Sequence, residues 1–416
     1  MYLLRSSSSW RGTLGIIGIL VFLTACEEKA TQAQVSNEGI PEYTRTLNVS
    51  GWETKVSSLN VFGLKVVSPD KKERMPAIGR LLKEQQPDFA FMQEAWTEEG
   101  RKDIFSNSNL KYNHYYPVQL TVGSGIQMLS TVAFERQSFR VFTLGGRVSR
   151  ITEGEAWAGK GIGMSRVTLK GLPVSMFNTH LVARHGSENQ NTSEDRYTPE
   201  RLMQLFEVFA HIVEQTDSDA FILAGDFNQR YFHIEYDFWN KLSSLDGIKF
   251  EEQDHTFCTS CGDNSYRDKA FNGQLDYIYV SPRLLITNAQ RDFDQRIKKQ
   301  DGSTINLSDH YGLVSTIGAI TGSSGKNPTL VRKNTTESLA YLQYRLEDYL
   351  NWYDKDKSDV DAKGLEDKIC VKCNIETSLK AVKRYQEALA SNNPAKLPND
   401  LKRIRTRLDS YFQIFR

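Results

Sequence analysis

The chain has 416 residues with 39% apolar, 11% aromatic and 25% charged side chains, a balance that excludes a disordered, collagen-like or disulfide-packed mini-protein. Its 52 Lys and Arg against 51 Asp and Glu leave a formal charge of +1, so no global field draws it onto nucleic acid, although a local basic groove is compatible with that total. The length suits roughly two to three average domains, or one large domain with an appendage.

Residues 1–25 read as an export signal. Arg5 and Arg11 supply the positive region and residues 14–23 form an uninterrupted apolar run. That run is shorter than the roughly 20 residues a lasting membrane span needs. It closes in Leu23-Thr24-Ala25-Cys26, which resembles the lipobox of bacterial lipoproteins. The resemblance implies cleavage and lipidation at Cys26, hence an exported, membrane-anchored lipoprotein facing the periplasm or the cell exterior. Residues 26–45, rich in Gln, Ala, Thr and Glu and without apolar periodicity, read as a tether.

Residues 46–320 alternate short apolar runs with amphipathic helices. Strands are predicted at 58–62, 89–92, 131–134, 174–177, 221–224, 275–280 and 311–315, and helical spacing of Met75, Ile78, Leu81 and Leu82 fills the first gap. The clearest helix carries Leu202, Leu205, Phe206, Phe209, Ile212 and Val213 on one stripe, with Thr198 as N-cap and Pro199 in the first turn. This mixture predicts one large α/β or α+β domain. Residues 321–328 (Thr-Gly-Ser-Ser-Gly-Lys-Asn-Pro) read as a linker, and 329–416 as a small helical C-terminal appendage.

Polar residues cluster where the apolar runs end: Asn60, Glu94, Asn178 with His180, Asp226 with Asn228, Asp276, and Asp309 with His310. Oxygen ligands from Glu94, Asn60 and Asp226 suit a hard cation, Mg²⁺ or another divalent ion such as Mn²⁺, bound as one ion or two. Two histidines add groups that titrate near neutrality, one to accept a proton and one to donate or polarise. A lone strand-end Asp or Asn is usually a turn residue, so the set carries the argument.

In order, Gln93-Glu94, Thr179-His180, Gly225-Asp226-Phe227-Asn228, Leu275-Asp276-Tyr277 and Ser308-Asp309-His310 resemble the endonuclease/exonuclease/phosphatase superfamily. Within it, Leu59-Asn60-Val61-Phe62-Gly63-Leu64, Asp88 to Trp96, and Asn264-Ser265-Tyr266 are similar to the neutral sphingomyelinases, as are Asp195, Tyr197, Arg201 and Gln204. The resemblance implies a four-layer α/β sandwich, two packed mixed sheets flanked by helices. It implies a Mg²⁺-dependent phosphodiesterase that cleaves a phospholipid head-group ester, sphingomyelin to ceramide and phosphocholine, at a membrane surface and as a monomer. Glu94 and Asn60 would bind the metal with support from Asp309. His310 would take a proton from water, oriented by Asp276. Asp226 and Asn228 would position water or phosphate, and His180 would donate to a phosphoryl oxygen. Lys160 would stabilise developing charge, with Glu155 where the family has Asp. The stretch from Gly154 to Lys160 nearly matches a nucleotide phosphate loop, but Gly161 stands where a Mg²⁺-binding Ser or Thr belongs.

Two other functions compete: a secreted or surface DNase of the same superfamily, with nucleic acid as substrate, and a catalytically silent surface binding protein. The aromatic group Tyr231, Phe232, Tyr236, Phe238 and Trp239 reads as helix packing in preference to a lipid- or base-contacting surface, and Tyr112, Tyr115 and Tyr116 admit the same readings. Two Cys-x-x-Cys pairs, Cys258/Cys261 and Cys370/Cys373, read as disulfides ahead of zinc ligands or free redox thiols, given export. Three connectivities are open, and cross-pairing would staple the appendage to the catalytic domain.

Overall fold

The computed structural model describes residues 34–35, 46–47, 52–64, 68–118, 122–147, 155–184, 193–216, 220–249, 255–258, 264–266, 272–321, 326–355 and 370–415. The export signal, Cys26, Cys261 and the Cys258 side chain lie outside the described residues. The main strands are β1 (Glu53–Asn60), β2 (Phe89–Gln93), β3 (Tyr112–Tyr115), β4 (Gln127–Ser130), β5 (Arg136–Val141), β6 (Gly161–Leu169), β7 (Leu172–His180), β8 (Phe221–Asp226), β9 (Asp246–Lys249), β10 (Asp276–Val280), β11 (Leu284–Asp292) and β12 (Gly312–Thr321). The helices are α1 (Lys71–Gln85), α2 (Glu98–Asn107), α3 (Thr198–Gln215), α4 (Ile234–Ser243), α5 (Pro328–Lys355), α6 (Val371–Ala390) and α7 (Asn399–Gln413).

These strands form two mixed sheets, one in the order β11-β12-β1-β2-β4-β3 and the other β9-β10-β8-β7-β6-β5. Each has one parallel pair at its middle, β1 with β2 and β7 with β8. A parallel pair needs a crossover, and α1 and α3 are those two crossovers. β2 and β8 are buried on both faces, which is why they read as unbroken apolar runs.

Three cores hold four layers together. Val56, Phe89, Phe91 and Met128 of one sheet meet Val174, Met176, Ile222 and Ile278 of the other. Outside the first sheet, Leu59, Ala90 and Met92 pack on Met75, Ile78 and Leu82 of α1 and Ile104 of α2. Outside the second, Phe177, Phe221 and Leu223 pack on the whole apolar stripe of α3. The four-layer sandwich is the expected architecture.

The C-terminal helical appendage packs closely on the catalytic-domain fold. Leu339, Leu342 and Leu346 of α5, Val382 and Tyr385 of α6, and Leu408 and Tyr411 of α7 belong to the same core as α3 and α4. Tyr385 meets Phe206 edge-on at 5.0 Å and Tyr411 meets Phe209 at 5.2 Å. The linker is shorter than expected, because β12 runs through Thr321 and α5 begins at Pro328. Part of the tether is also structured: Gln34–Val35 adds a short strand beside β9.

Two local expectations fail. Residues 131–134 are not a strand; the chain bends there as it leaves β4 for β5 in the opposite sheet, so Val132 and Phe134 serve the inter-sheet core without entering a ladder. Thr198 is the first residue of α3 and not its cap, because its hydroxyl accepts from Asp195 N and donates to buried Glu235.

Candidate active site

Both parallel pairs end at one place, the carboxyl ends of their strands, where ligand sites of α/β sheets form. Asn60 closes β1 opposite Gln93 of β2, with Glu94 next in the chain. His180 closes β7 opposite Asp226 of β8, and Asp226 is also opposite Asp276 of β10. Glu94, Phe62 and Asn228 all adopt left-handed backbone, with φ of 55°, 48° and 50°. Each such non-glycine residue costs about 1 kcal/mol or more, and such strain gathers at functional sites. Gly63 is required: a Cβ there would lie 2.4 Å from the Glu94 carbonyl oxygen.

Asn60 bridges the two sheets. Its Nδ2 donates to Glu94 Oε1 and to Asp226 Oδ2, both at 3.0 Å. Asp226 Oδ2 lies 3.5 Å from His180 Nε2 and 3.8 Å from His310 Nε2. On its other side His310 Nδ1 is 2.9 Å from Asp276 Oδ2. Burial works against the His310 cation, but Asp276, Asp226 and Asp309 more than offset it and raise its pKa to about 10. Burial and then Asp276 raise Asp226 to about 7. Burial and then Asp309 raise Glu94, whose Oε2 is buried without a hydrogen-bond partner among the described residues.

Lys160 and Glu155 meet as the sequence suggests, with Glu155 Oε1 2.9 Å from Lys160 Nζ. Lys160 also lies 3.0 Å from His180 Nε2 and donates to the Leu181 carbonyl at 3.0 Å. An ammonium has three protons, and these three contacts engage them. Burial and then Lys160 hold the His180 pKa well below its ordinary value, which favours the neutral ring. Asn228 donates from Nδ2 to the same Leu181 carbonyl at 3.0 Å, tying the ends of β7 and β8.

Residues 57–310 match the model of the Endonuclease/Exonuclease/phosphatase family. The chain belongs to that family. Over 281 residues it is 27% identical to a Drosophila melanogaster protein whose name places it with the neutral sphingomyelinases, a match covering 63% of this chain and 60% of that relative. Over 294 residues it is 25% identical to the inositol phosphosphingolipids phospholipase C of Schizosaccharomyces pombe, covering 63% and 67% of the two chains. Two crystal structures of beta toxin from Staphylococcus aureus share the fold. One, at 17% identity, has a TM-score of 0.53 over 63% of this chain and 99% of its own. The other, with bound magnesium ions, is 16% identical with a TM-score of 0.50 over 64% and 99%.

Three supports of this family site have roles that the sequence alone does not reveal. Arg74 of α1 reads as a solvent-facing charge, yet it is buried and donates to the carbonyls of Val61, Phe62 and Leu307 at 2.8, 2.7 and 2.9 Å. It thereby ties the loop after Asn60 to the loop that presents Asp309 and His310. Thr256 Oγ1 accepts from the backbone N of Asp276 at 3.1 Å. Gln93 Nε2 donates to Asn178 Oδ1 at 2.7 Å, a second bridge between the sheets. The aromatics divide: Trp239, Phe238 and Tyr116 are core, whereas Tyr231 and Phe232 are exposed, as is Trp157 beside Glu155. Cys370 and Cys373 are bonded to each other, which removes cross-pairing and zinc ligation for that pair.

Proposed function

We propose that the chain is a divalent-cation-dependent phosphodiesterase that cleaves the head-group ester of a sphingolipid, releasing phosphocholine and ceramide from sphingomyelin. The observation that carries this reading is the run Asp276–His310–Asp226–Asn60–Glu94, which spans both sheets through contacts of 2.9 to 3.8 Å. The names of the relatives support a sphingolipid, and the sequence match to the neutral sphingomyelinases supports the choline ester.

Asp276 orients the His310 imidazole and stabilises its cation as Nε2 takes a proton from the attacking water. The water oxygen bonds to phosphorus, the bond from phosphorus to the ceramide oxygen breaks, and that oxygen takes up a proton. Asp226, fixed by Asn60, and Asn228 position water and phosphate. Lys160 acts through the His180 ring, which it keeps neutral and in place. Glu94, with Asn60 and Asp309, fits a hard cation: its Oε2 is buried without a partner among the described residues, and burial beside Asp309 disfavours its charge unless a cation offsets it. A bound Mg²⁺ or similar ion would neutralise the phosphate and the departing oxygen and weaken the hold of Asp309 on the His310 proton. Exposed Trp157, Tyr231 and Phe232 suit a bilayer interface, and lipidation of Cys26 would keep the site at that surface.

Phosphocholine release from sphingomyelin liposomes by residues 27–416 in Mg²⁺ tests the reading. Release is expected to vanish with EDTA and with His310→Ala. Cleavage confined to inositol phosphosphingolipid or to DNA would replace the substrate, and lipid binding without turnover of any diester would replace the enzyme with a binding protein.

A further inference from the structure

Cys370 and Cys373 take no part in the site above. They form a disulfide across the first turn of α6, a helix of 20 residues, and both side chains are exposed. Cys370 is the N-cap, and its Sγ accepts the backbone N–H of Cys373 at 3.1 Å. The first turn of α6 carries no acidic side chain, and Lys372 stands between the two cysteines.

A sulfur at an N-cap is where a negative charge is best supported, by the free amide donors and by the positive end of the helix dipole. A thiolate so held is a better leaving group than an ordinary cysteine, which makes its disulfide easier to open, and Cys-x-x-Cys spacing lets the second sulfur return to close it. A buried structural disulfide has neither feature, since no incoming thiolate reaches it.

We infer that the Cys370–Cys373 disulfide, exposed at the N-cap of α6, is a thiol–disulfide exchange site whose reductant is a small thiol or the dithiol of an oxidoreductase. The incoming thiolate attacks Cys373 Sγ and forms a mixed disulfide there, the bond between the two cysteines breaks, and Cys370 Sγ leaves as the thiolate held by the Cys373 N–H. A second thiolate attacks the reductant's own sulfur and frees Cys373. Two electrons pass to the pair, and the reductant leaves as its disulfide.

The test is to equilibrate residues 27–416 with reduced and oxidised glutathione, trap thiols by alkylation, and read Cys370 and Cys373 separately from Cys258 and Cys261 by peptide mapping. The pair is expected to titrate between dithiol and disulfide over millimolar glutathione with α-helical circular dichroism unchanged. In Cys373→Ser, the rate of Cys370 alkylation by iodoacetamide is expected to follow an apparent pKa about one unit or more below the ordinary ~8.5. A bond that stays closed throughout the glutathione series overturns the inference without any variant. So does a Cys370 thiol that titrates at or above the ordinary value, or helix loss on reduction, which would mark the bond as a structural staple.

Discussion

The Asp276 carboxylate decides what His310 can do. One oxygen holds Nδ1 at 2.9 Å while the other is buried without a partner among the described residues, so the pair behaves as an orienting unit inside low dielectric. Asp276→Asn keeps the shape and removes the charge that stabilises the imidazolium. The expected result is a kcat lower by about 10²- to 10⁴-fold with KM nearly unchanged, read from head-group release. A second residue-scale prediction concerns stability. Glu207 of α3 is buried and accepts from the backbone N of Thr143 at 3.0 Å and from its hydroxyl at 2.6 Å. Burial raises its pKa from 4.5 to about 7. A folded-state value above the unfolded one means the native state holds the proton more tightly, so this contribution is full below pH 4.5 and lost as pH rises through about 7. Glu207→Gln should flatten that fall, worth up to about 3 kcal/mol, in denaturation midpoints taken from pH 4.5 to 8. The residues that gather at the candidate site were legible at this scale because apolar strand runs stop at polar side chains. Their electrostatic state was not: nothing in the spacing of Lys160 and His180 says that the ammonium faces Nε2.

Elements position the site through α1 and α3, the crossovers that make β1/β2 and β7/β8 parallel and bring four strand ends together. On α1 the decisive side chain is Arg74. In an amphipathic pattern an Arg reads as the wet face, and only the folded loops on either side of it reveal four carbonyl acceptors, those of Val61, Phe62, Pro69 and Leu307. Arg74→Met keeps much of the length but strands those carbonyls, and each buried acceptor left unpaired costs about 1–3 kcal/mol. The expected loss is at least 2 kcal/mol on the order-of-magnitude scale, measured by urea denaturation. Folded variant is expected to show a kcat defect larger than its KM defect, since Asn60 and His310 lose a common anchor. The misread segment at 131–134 teaches a related lesson. β-branched and aromatic residues mark burial, and a bend that crosses between sheets buries its side chains as a strand does.

Across the whole molecule the sequence pattern suggested a catalytic domain with helices attached, and the packing joins them. α5, α6 and α7 cover the outer face of α3, and Tyr411 donates to the Ser243 carbonyl at the end of α4 at 2.7 Å. Arg345 of α5 forks onto both oxygens of Glu194 at 2.8 Å. The boundary was visible as a Gly/Ser-rich stretch, but composition cannot tell a hinge from a short connection inside one core. Ending the chain at residue 321 should uncover Phe206 and Phe209 where Tyr385 and Tyr411 pack on them. Such a truncation is expected to aggregate on size-exclusion chromatography instead of eluting as an active monomer.

The polar bridges Asn60–Asp226 and Gln93–Asn178 cross the plane where one sheet lies on the other. Neither half of the sandwich owns the whole candidate site, so the proposed turnover would report on the docking of the two halves. During refolding, enzymatic competence should return only in the final phase, after each half has regained its backbone order. Under mild denaturant it should disappear first, while circular dichroism still registers both sheets.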